Sequence, residues 1–358
     1  MNLMTTLYDW AHNERLIHSL KTALACLISF VAASHLHFQM TPWIVITTLV
    51  VMCAQINVGS VIQKSWMRFL GTLTGSLFSI ITLNFFGNDI FISTIVVIIA
   101  AIFFSFIATS TKSYSESGTL GAVTVVIILF GVNPDVQTGI ERFLEISLGI
   151  LIAAVVSQFV FPIHAKTHLR RNQAATINKI RALYMNLFYS SLSSDNTHIM
   201  GNLDEEIVKS LIMQRKLAGE ARKEKWGNAF NIDYFQQSLW CEKEIIRSII
   251  FMFYAWEKTY TLDIMEKNKL LLDSFHHEII NTLENISACI SQKTTPTHIK
   301  SVNIIMLKEA LDNTNSLQPE EKRSIDAFVF CAEILIERLN RIMNILKNTT
   351  FQITLNQH

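Results

Sequence analysis

Charged residues are distributed unevenly along this chain, and the change occurs at Phe161–Pro162. The first 162 residues contain 6 Lys or Arg and 7 Asp or Glu, whereas the remaining 196 contain 24 basic and 22 acidic residues. Apolar stretches of about 20 residues can cross a bilayer, but charged amphipathic segments need contact with water. We therefore predict an all-α protein, with a transmembrane domain at residues 1–162 and a cytoplasmic helical domain at residues 163–358.

The overall composition agrees with a membrane protein and argues against several other classes. Half of the residues are hydrophobic and the mean hydropathy is +0.32, which is too apolar for an ordinary soluble domain. A net charge of +1 argues against a nucleic-acid-binding protein, which needs a basic surface. The five cysteines are scattered without a CxxC pair, so we expect reduced thiols and no metal site.

Six apolar stretches are candidate transmembrane spans. The second and fifth are short, so flanking residues would have to extend them or they would cross with little tilt. The six predicted spans are 16–34, 43–58, 68–86, 90–109, 118–132 and 142–161.

Basic residues alternate from one predicted loop to the next. The loops at residues 35–42, 87–89 and 133–141 contain no Lys or Arg. The positive-inside rule therefore places both termini in the cytoplasm. Positive charge occurs in or beside the other four connections, at Arg15, Lys21, Lys64, Arg68, Lys112, Lys166, Arg170 and Arg171.

The third and sixth spans begin with the same short motif. Each starts with Arg-Phe-Leu, at Arg68 and at Arg142, and each has a glycine seven residues after the arginine, at Gly75 and Gly149. The third span starts on the cytoplasmic face and the sixth on the outer face. Two three-span units in opposite orientations would be an inverted repeat, which is common among transporters. The alternative is coincidence combined with the frequent occurrence of arginine at the ends of spans.

Polar and small residues of the third span lie on one helical stripe. Gly71 and Gly75 would let another helix approach closely, and Thr72 lies beside them. Arg68 would guard the inner mouth of a pore on the same stripe. Alternatively, Arg68 extends to the lipid headgroups and the stripe serves helix packing alone.

In the sixth span, Arg142, Glu145, Gly149 and Ala153 share one face. Arg142 and Glu145 are three residues apart and can pair. A carboxylate within a span is a functional candidate, here the proton-binding group of a proton-coupled carrier. The alternative is a structural ion pair at the level of the outer headgroups.

The cytoplasmic ends of several spans carry polar or basic residues that would form a vestibule. Gln55 and Asn57 end the second span, and Lys64, Arg68 and Lys112 lie close to the same membrane face. Such a vestibule would be positively charged and would attract anions.

The second half of the chain is predicted to be helical and non-enzymatic. It contains neither a phosphate-binding loop nor a hydrolase or metalloprotease motif, so no cofactor is expected, and uphill transport would need an ion gradient or a separate subunit. Adjacent His276 and His277 point to different helix faces, so we expect solvated histidines rather than metal ligands. The predicted helices are 166–193, 203–225, 231–260, 263–291, 297–314 and 319–347.

Residues 68–75, read as Arg-Phe-Leu-Gly-Thr-Leu-Thr-Gly, resemble the Arg-x-x-Gly-Thr-x-x-Gly pattern of the fusaric acid resistance and aromatic acid exporter family. Residues 141–145, Gly149 and the closing Phe161–Pro162 look like the last span of that family. Plant aluminium-activated malate transporters have a similar layout of six spans and a cytosolic helical domain.

The resemblance implies a bacterial inner-membrane exporter of aromatic or other weak organic acids, often with a periplasmic adaptor protein. Family exporters often carry the membrane-plus-soluble unit twice, whereas this chain holds one unit, so we expect a homodimer. Two alternatives remain open: a passive organic-anion channel of the same architecture, and a membrane anchor whose helical domain senses or scaffolds.

Overall fold

A computed structural model describes residues 3–36, 42–53, 55–110, 114–131, 134–189, 196–224, 231–292, 304–311 and 318–355. Within these ranges the regular elements are thirteen α-helices, and no strand occurs. The chain divides into two compact units, Met1–Ala165 and Lys166–His358. The all-α class predicted from the sequence is confirmed.

The first unit contains six helices. Three of them are long and apolar enough to cross a membrane, namely α1 over its Asn13–His35 part, α3 and α4, while α2 and α5 are shorter apolar helices. The protein is therefore a multi-pass membrane protein, and the number of six spans remains a prediction. The helices are α1 (Leu3–Leu36), α2 (Pro42–Met52), α3 (Val58–Phe86), α4 (Ile90–Ala108), α5 (Ser115–Leu129) and α6 (Val136–Phe159).

Helix α3 begins ten residues earlier than its apolar stretch predicts. Asn57 is extended, the Val58 backbone N–H donates to the Ile163 carbonyl, and helical hydrogen bonding then continues without interruption. Helix formation depends on backbone geometry rather than on hydropathy, so Lys64 does not end the helix. Arg68 consequently lies about 15 Å inside α3 and does not open it, which corrects the sequence prediction.

Two apolar clusters hold the first unit together. One is formed by α1, α2, α3 and α6, with Ala25, Ile44, Val61 and Ala153 at its centre. The other is formed by α3, α4 and α5. Helix α3 contributes residues to both clusters and therefore connects them.

Glycines permit the closest helix contacts in this unit. A Cβ atom at Gly71 would lie 2.5 Å from the Ser117 carbonyl oxygen, and one at Gly75 would lie 2.6 Å from the Gly121 carbonyl oxygen. A Cβ at Gly149 would lie 2.6 Å from the Ile44 carbonyl oxygen. These separations are too short for any side chain, so α3 packs backbone to backbone on α5, and α6 packs likewise on α2.

The same packing pattern occurs in both halves of the membrane unit, of which the first comprises α1 to α3 and the second α4 to α6. The third helix of each half places its glycine against the second helix of the other half. Phe69 and Phe143, the central residues of the two Arg-Phe-Leu motifs, contact each other with ring centroids 5.8 Å apart. Contact between equivalent residues is what a pseudo-two-fold axis through this point would produce. The inverted repeat itself remains a prediction.

The second unit contains seven helices, and α9 packs along α13. One sequence expectation fails here: His276 is buried rather than solvated, because Nδ1 lies 2.6 Å from the Tyr184 hydroxyl and aromatic rings surround the imidazole. Burial lowers the pKa of His276 to about 4, so it is neutral at physiological pH. The helices are α7 (Ala165–Tyr189), α8 (Asn196–Ala221), α9 (Ile232–Thr259), α10 (Asp263–Lys267), α11 (Lys269–Gln292), α12 (Ile305–Leu311) and α13 (Pro319–Leu355).

Candidate functional site

Four helices of the membrane unit meet around two consecutive threonines of α2. The Thr48 hydroxyl lies 2.7 Å from the Ser29 hydroxyl of α1 and 3.2 Å from the Gly149 carbonyl oxygen of α6. The neighbouring Thr47 hydroxyl faces α3 and accepts a hydrogen bond from Arg68. Both threonines are fully buried, so the apolar bundle has a polar centre.

Arg68 projects from α3 into this polar centre. Its side chain is only 7% exposed, and its terminal nitrogen Nη2 is 3.4 Å from the Thr47 hydroxyl, a long hydrogen bond. Its Nε has no hydrogen-bond partner among the described residues. An arginine anchored in lipid headgroups would be exposed, so this burial favours the interior role over the anchoring role.

Arg142 and Glu145 form a buried ion pair on α6. Nη1 of Arg142 lies 2.7 Å from Oε2 of Glu145, and the two residues are 5% and 1% exposed. The Arg142 guanidinium also lies 5.5 Å from the ring centroid of Trp43 on α2. The pairing predicted from the three-residue spacing is present, and the pair is buried within the bundle.

The two arginines lie against neighbouring turns of the same short helix. Arg142 contacts Trp43 and Arg68 contacts Thr47, and these residues of α2 are one turn apart, about 6 Å along the axis. The sequence placed the arginines at opposite membrane faces. The structure brings them to the same region of the bundle, where each contacts α2.

Lys21 is a site residue that the sequence patterns did not predict. Its charge was assigned to the cytoplasmic arm, yet this side chain is 2% exposed and its Nζ has no hydrogen-bond partner among the described residues. Lys21 and Ala25 lie on the α1 face that carries Ser29, the contact of Thr48. The sequence did contain a signal for a role of Lys21 in the site. Lys21 falls inside the predicted span 16–34, where an ionisable residue is a functional candidate.

The remaining predicted path residues are less centrally placed. Thr72 is buried one turn beyond Arg68, and Lys64 is half-buried one turn before it, so both lie on the Arg68 face of α3. Gln55 and Asn57 are half-buried and lie beyond the end of α2, and Asn57 is the residue that directly precedes α3. Lys112 lies outside the described residues. No cluster of metal-ligating side chains occurs among the described residues.

Positive charge exceeds negative charge in the buried part of this unit. Among its described residues, the buried lysine and arginine side chains are Lys21, Arg68 and Arg142, whereas Glu145 is the buried carboxylate. Glu145 already pairs with Arg142, which leaves Lys21 and Arg68 without a carboxylate. Unpaired charges in a low-dielectric interior are costly, so they are rarely retained without a role.

These features define a multi-pass helical membrane protein with a positively charged interior. The chain belongs to the fusaric acid resistance protein family, whose profile matches residues 15–221. The matched region covers the membrane unit from Arg15 onward and extends through α7 and α8. The resemblance found in the sequence motifs is therefore confirmed.

Two relatives from Escherichia coli K12 each match more than half of the chain. Multidrug resistance protein MdtO is 27% identical over 223 residues, which is 57% of this chain and 32% of MdtO. Inner membrane protein YeeA is 25% identical over 212 residues, which is 59% of this chain and 58% of YeeA. The similarity thus spans about a third of MdtO and somewhat more than half of YeeA.

Proposed function

We propose that this protein is an inner-membrane transporter that exports aromatic or other weak organic acids. The observation that carries the proposal is the excess of buried positive charge at Lys21 and Arg68. A carboxylate ligand that entered the bundle would supply a counter-charge that the described residues do not provide for Lys21 and Arg68, and would bind for that reason. Membership of the fusaric acid resistance protein family supports an efflux role, and so does the similarity to MdtO, which is named a multidrug resistance protein.

Transport is proposed to be driven by an ion gradient. The chain contains no phosphate-binding loop for ATP, and Glu145 is a candidate proton carrier within the membrane unit. A passive anion channel with the same interior is the second candidate, because excess positive charge selects anions with or without coupling. A membrane anchor without transport is less well supported, since anchoring needs no buried cations.

Purified protein in liposomes distinguishes these three functions. With a pH gradient imposed, we expect benzoate-type acids to accumulate above equilibrium, and a protonophore to abolish the accumulation. A passive channel would equilibrate the acids without concentrating them and would show unitary currents. Absence of any flux of a panel of aromatic and aliphatic acids, with the protein correctly inserted, would refute the proposed function.

The proposed topology has six spans with both termini in the cytoplasm. A reporter fused after Gly87 is expected to indicate the outside, because the loop at 87–89 contains no basic residue. Reporters fused after Ser113 or His358 are expected to indicate the inside. A signal from outside at His358 would overturn the six-span arrangement.

Replacing Lys21 with methionine should separate stability from function. Methionine has a similar length but no charge, so removal of an unpaired buried ammonium is expected to stabilise the fold by a few kcal/mol, on the order seen for other buried charges. Anion transport should fall, because the interior loses one of its two uncompensated cations. Thermal unfolding and liposome uptake measure the two effects.

The control for this substitution is Arg15→Gln, which removes an exposed charge from the same helix and should change neither property. Unchanged transport in Lys21→Met at equal insertion would show that Lys21 takes no part in anion binding.

The proposed assembly is a homodimer, and a periplasmic adaptor protein is proposed as a further partner. Gly71 and Gly75 already face α5 of the same chain, so the dimer contact would use another surface. The mass of the protein in mild detergent, measured over a range of concentrations, checks this proposal.

A further inference from the structure

A carboxyl group without a cationic partner lies at the centre of the second unit. Glu242 of α9 is fully buried. Oε2 accepts a hydrogen bond from Nε2 of Gln214 at 2.8 Å, and Oε1 lies at longer distances, 3.4 Å and 3.5 Å, from Nε2 of Gln173 and the Ser238 hydroxyl. No Lys, Arg or His pairs with this carboxyl among the described residues. A buried carboxylate held by neutral donors alone is unusual and costly.

The carboxyl belongs to a polar network that joins three helices. Gln214 of α8 also donates to the Thr176 hydroxyl of α7 at 2.9 Å, and Thr176 lies 2.7 Å from the Ser210 hydroxyl of α8. Gln173 of α7 bridges to Glu242 on α9. The contacts of α8 with α7 and α9 therefore include a chain of hydrogen bonds that ends at the carboxyl group.

Among the described residues, charged groups of the neighbouring helices are not what shifts the pKa of the Glu242 carboxyl. Arg338, Arg341 and Glu337 of α13 influence the adjacent Cys241 thiol rather than the Glu242 carboxyl. Helices α7 and α8 present neutral amides and hydroxyls to Glu242. The charge on this carboxyl is thus controlled by burial and by the hydrogen-bond network.

We propose that Glu242 is a proton-binding site whose ionisation loosens the packing of α8 against α7 and α9. When the carboxyl is neutral, its burial is inexpensive and the three helices stay packed. When it ionises, movement of α8 away from α9 would admit water to the carboxylate, so the open arrangement becomes more populated. This inference is independent of the proposed transport function, because it concerns the second unit alone.

The titration range lies near neutral pH. Burial raises the pKa of the Glu242 carboxyl from its ordinary value of 4.5 to about 7, and the hydrogen bonds from Gln214, Gln173 and Ser238 offset only part of that rise. For an acid whose pKa is raised on folding, stability is greatest below the unfolded-state pKa and is lost as pH rises through the folded-state pKa. Here the packed state should lose stability between about pH 4.5 and 7, and then remain constant.

Hydrogen exchange of the full-length protein in detergent tests this prediction between pH 5.5 and 8.5. After correction for the intrinsic pH dependence of exchange, α8 peptides should open about 30-fold more at pH 8.5 than at pH 5.5, because each pH unit below the pKa changes the opening constant about tenfold and the change levels off above the pKa. Glu242→Gln keeps the size of the side chain and cannot ionise, so its α8 protection should be independent of pH. Glu257→Gln, on an exposed position of the same helix, should behave like the wild type.

A second variant keeps the test decisive if Glu242→Gln does not fold. Gln214→Met removes the closest donor to the ionised carboxyl, so the transition should move to higher pH; a merely structural role for Gln214 would lower protection equally at every pH. Protection of wild-type α8 that does not vary with pH, the same pH dependence in Glu242→Gln, or an unmoved transition in Gln214→Met would each overturn the proposal.

Discussion

Replacing Arg68 with glutamine is expected to weaken organic-anion binding during transport by roughly 10- to 150-fold, which corresponds to a lost contact of about 1.4–3 kcal/mol. Glutamine keeps a polar group near Thr47 but removes the positive charge. Because Arg68 is buried with an unpaired Nε, the loss should appear as a higher half-saturation concentration in liposome uptake.

Two further variants show how Arg68 acts. Arg68→Lys should keep part of the activity if charge alone matters, and little if the guanidinium binds the carboxylate with two hydrogen bonds. Arg15→Gln serves as the matched control, since it removes an exposed arginine. Normal insertion of Arg68→Gln with a wild-type rate and half-saturation would show that Arg68 does not bind the anion.

Replacing Glu145 with glutamine is expected to destabilise the membrane unit by about 3–5 kcal/mol, because Arg142 would stay buried without its carboxylate. The measurement is thermal unfolding of the purified protein, together with the yield of correctly inserted chains. The double variant Arg142→Met with Glu145→Leu removes both charges and should recover most of the stability, since replacement of a whole buried pair is often neutral.

Transport by the double variant decides between the two roles left open for Glu145. If the pair is structural, uptake should recover together with stability. If Glu145 carries the coupling proton, the stable double variant should no longer concentrate the acid when a pH gradient is imposed. A Glu145→Gln protein as stable as the wild type would contradict the buried ion pair itself.

Several features of the membrane unit could be predicted from local sequence. The Arg142–Glu145 pair follows from a spacing of three residues on one helix, and the structure contains it. The close approach at Gly71, Gly75 and Gly149 follows from the absence of side chains, although their partner helices could not be predicted. The family assignment rested on the same motifs, because they combine these packing and charge requirements within a few residues.

Burial of individual polar groups could not be predicted in the same way. Lys21 was counted as a topological signal, Arg68 was placed at a membrane face, and His276 was expected in solvent, yet all three are buried. For two of them the deciding neighbour is distant in sequence: Thr47 for Arg68, and Tyr184 for His276. Local periodicity predicts which face of a helix a residue occupies, but it does not identify the element that covers this face.

The sequence by itself determined the all-α class, the apolar first half and the family, because these depend on composition, helical periodicity and short motifs. Only the tertiary structure decided that Arg68 and Arg142 lie against neighbouring turns of α2, that Lys21 has no carboxylate partner in the described part of the chain, and that Glu242 is buried among α7, α8 and α9. The physical reason is that the cost of a charge depends on its solvent and counter-charge, and both are set by segments far apart in the chain.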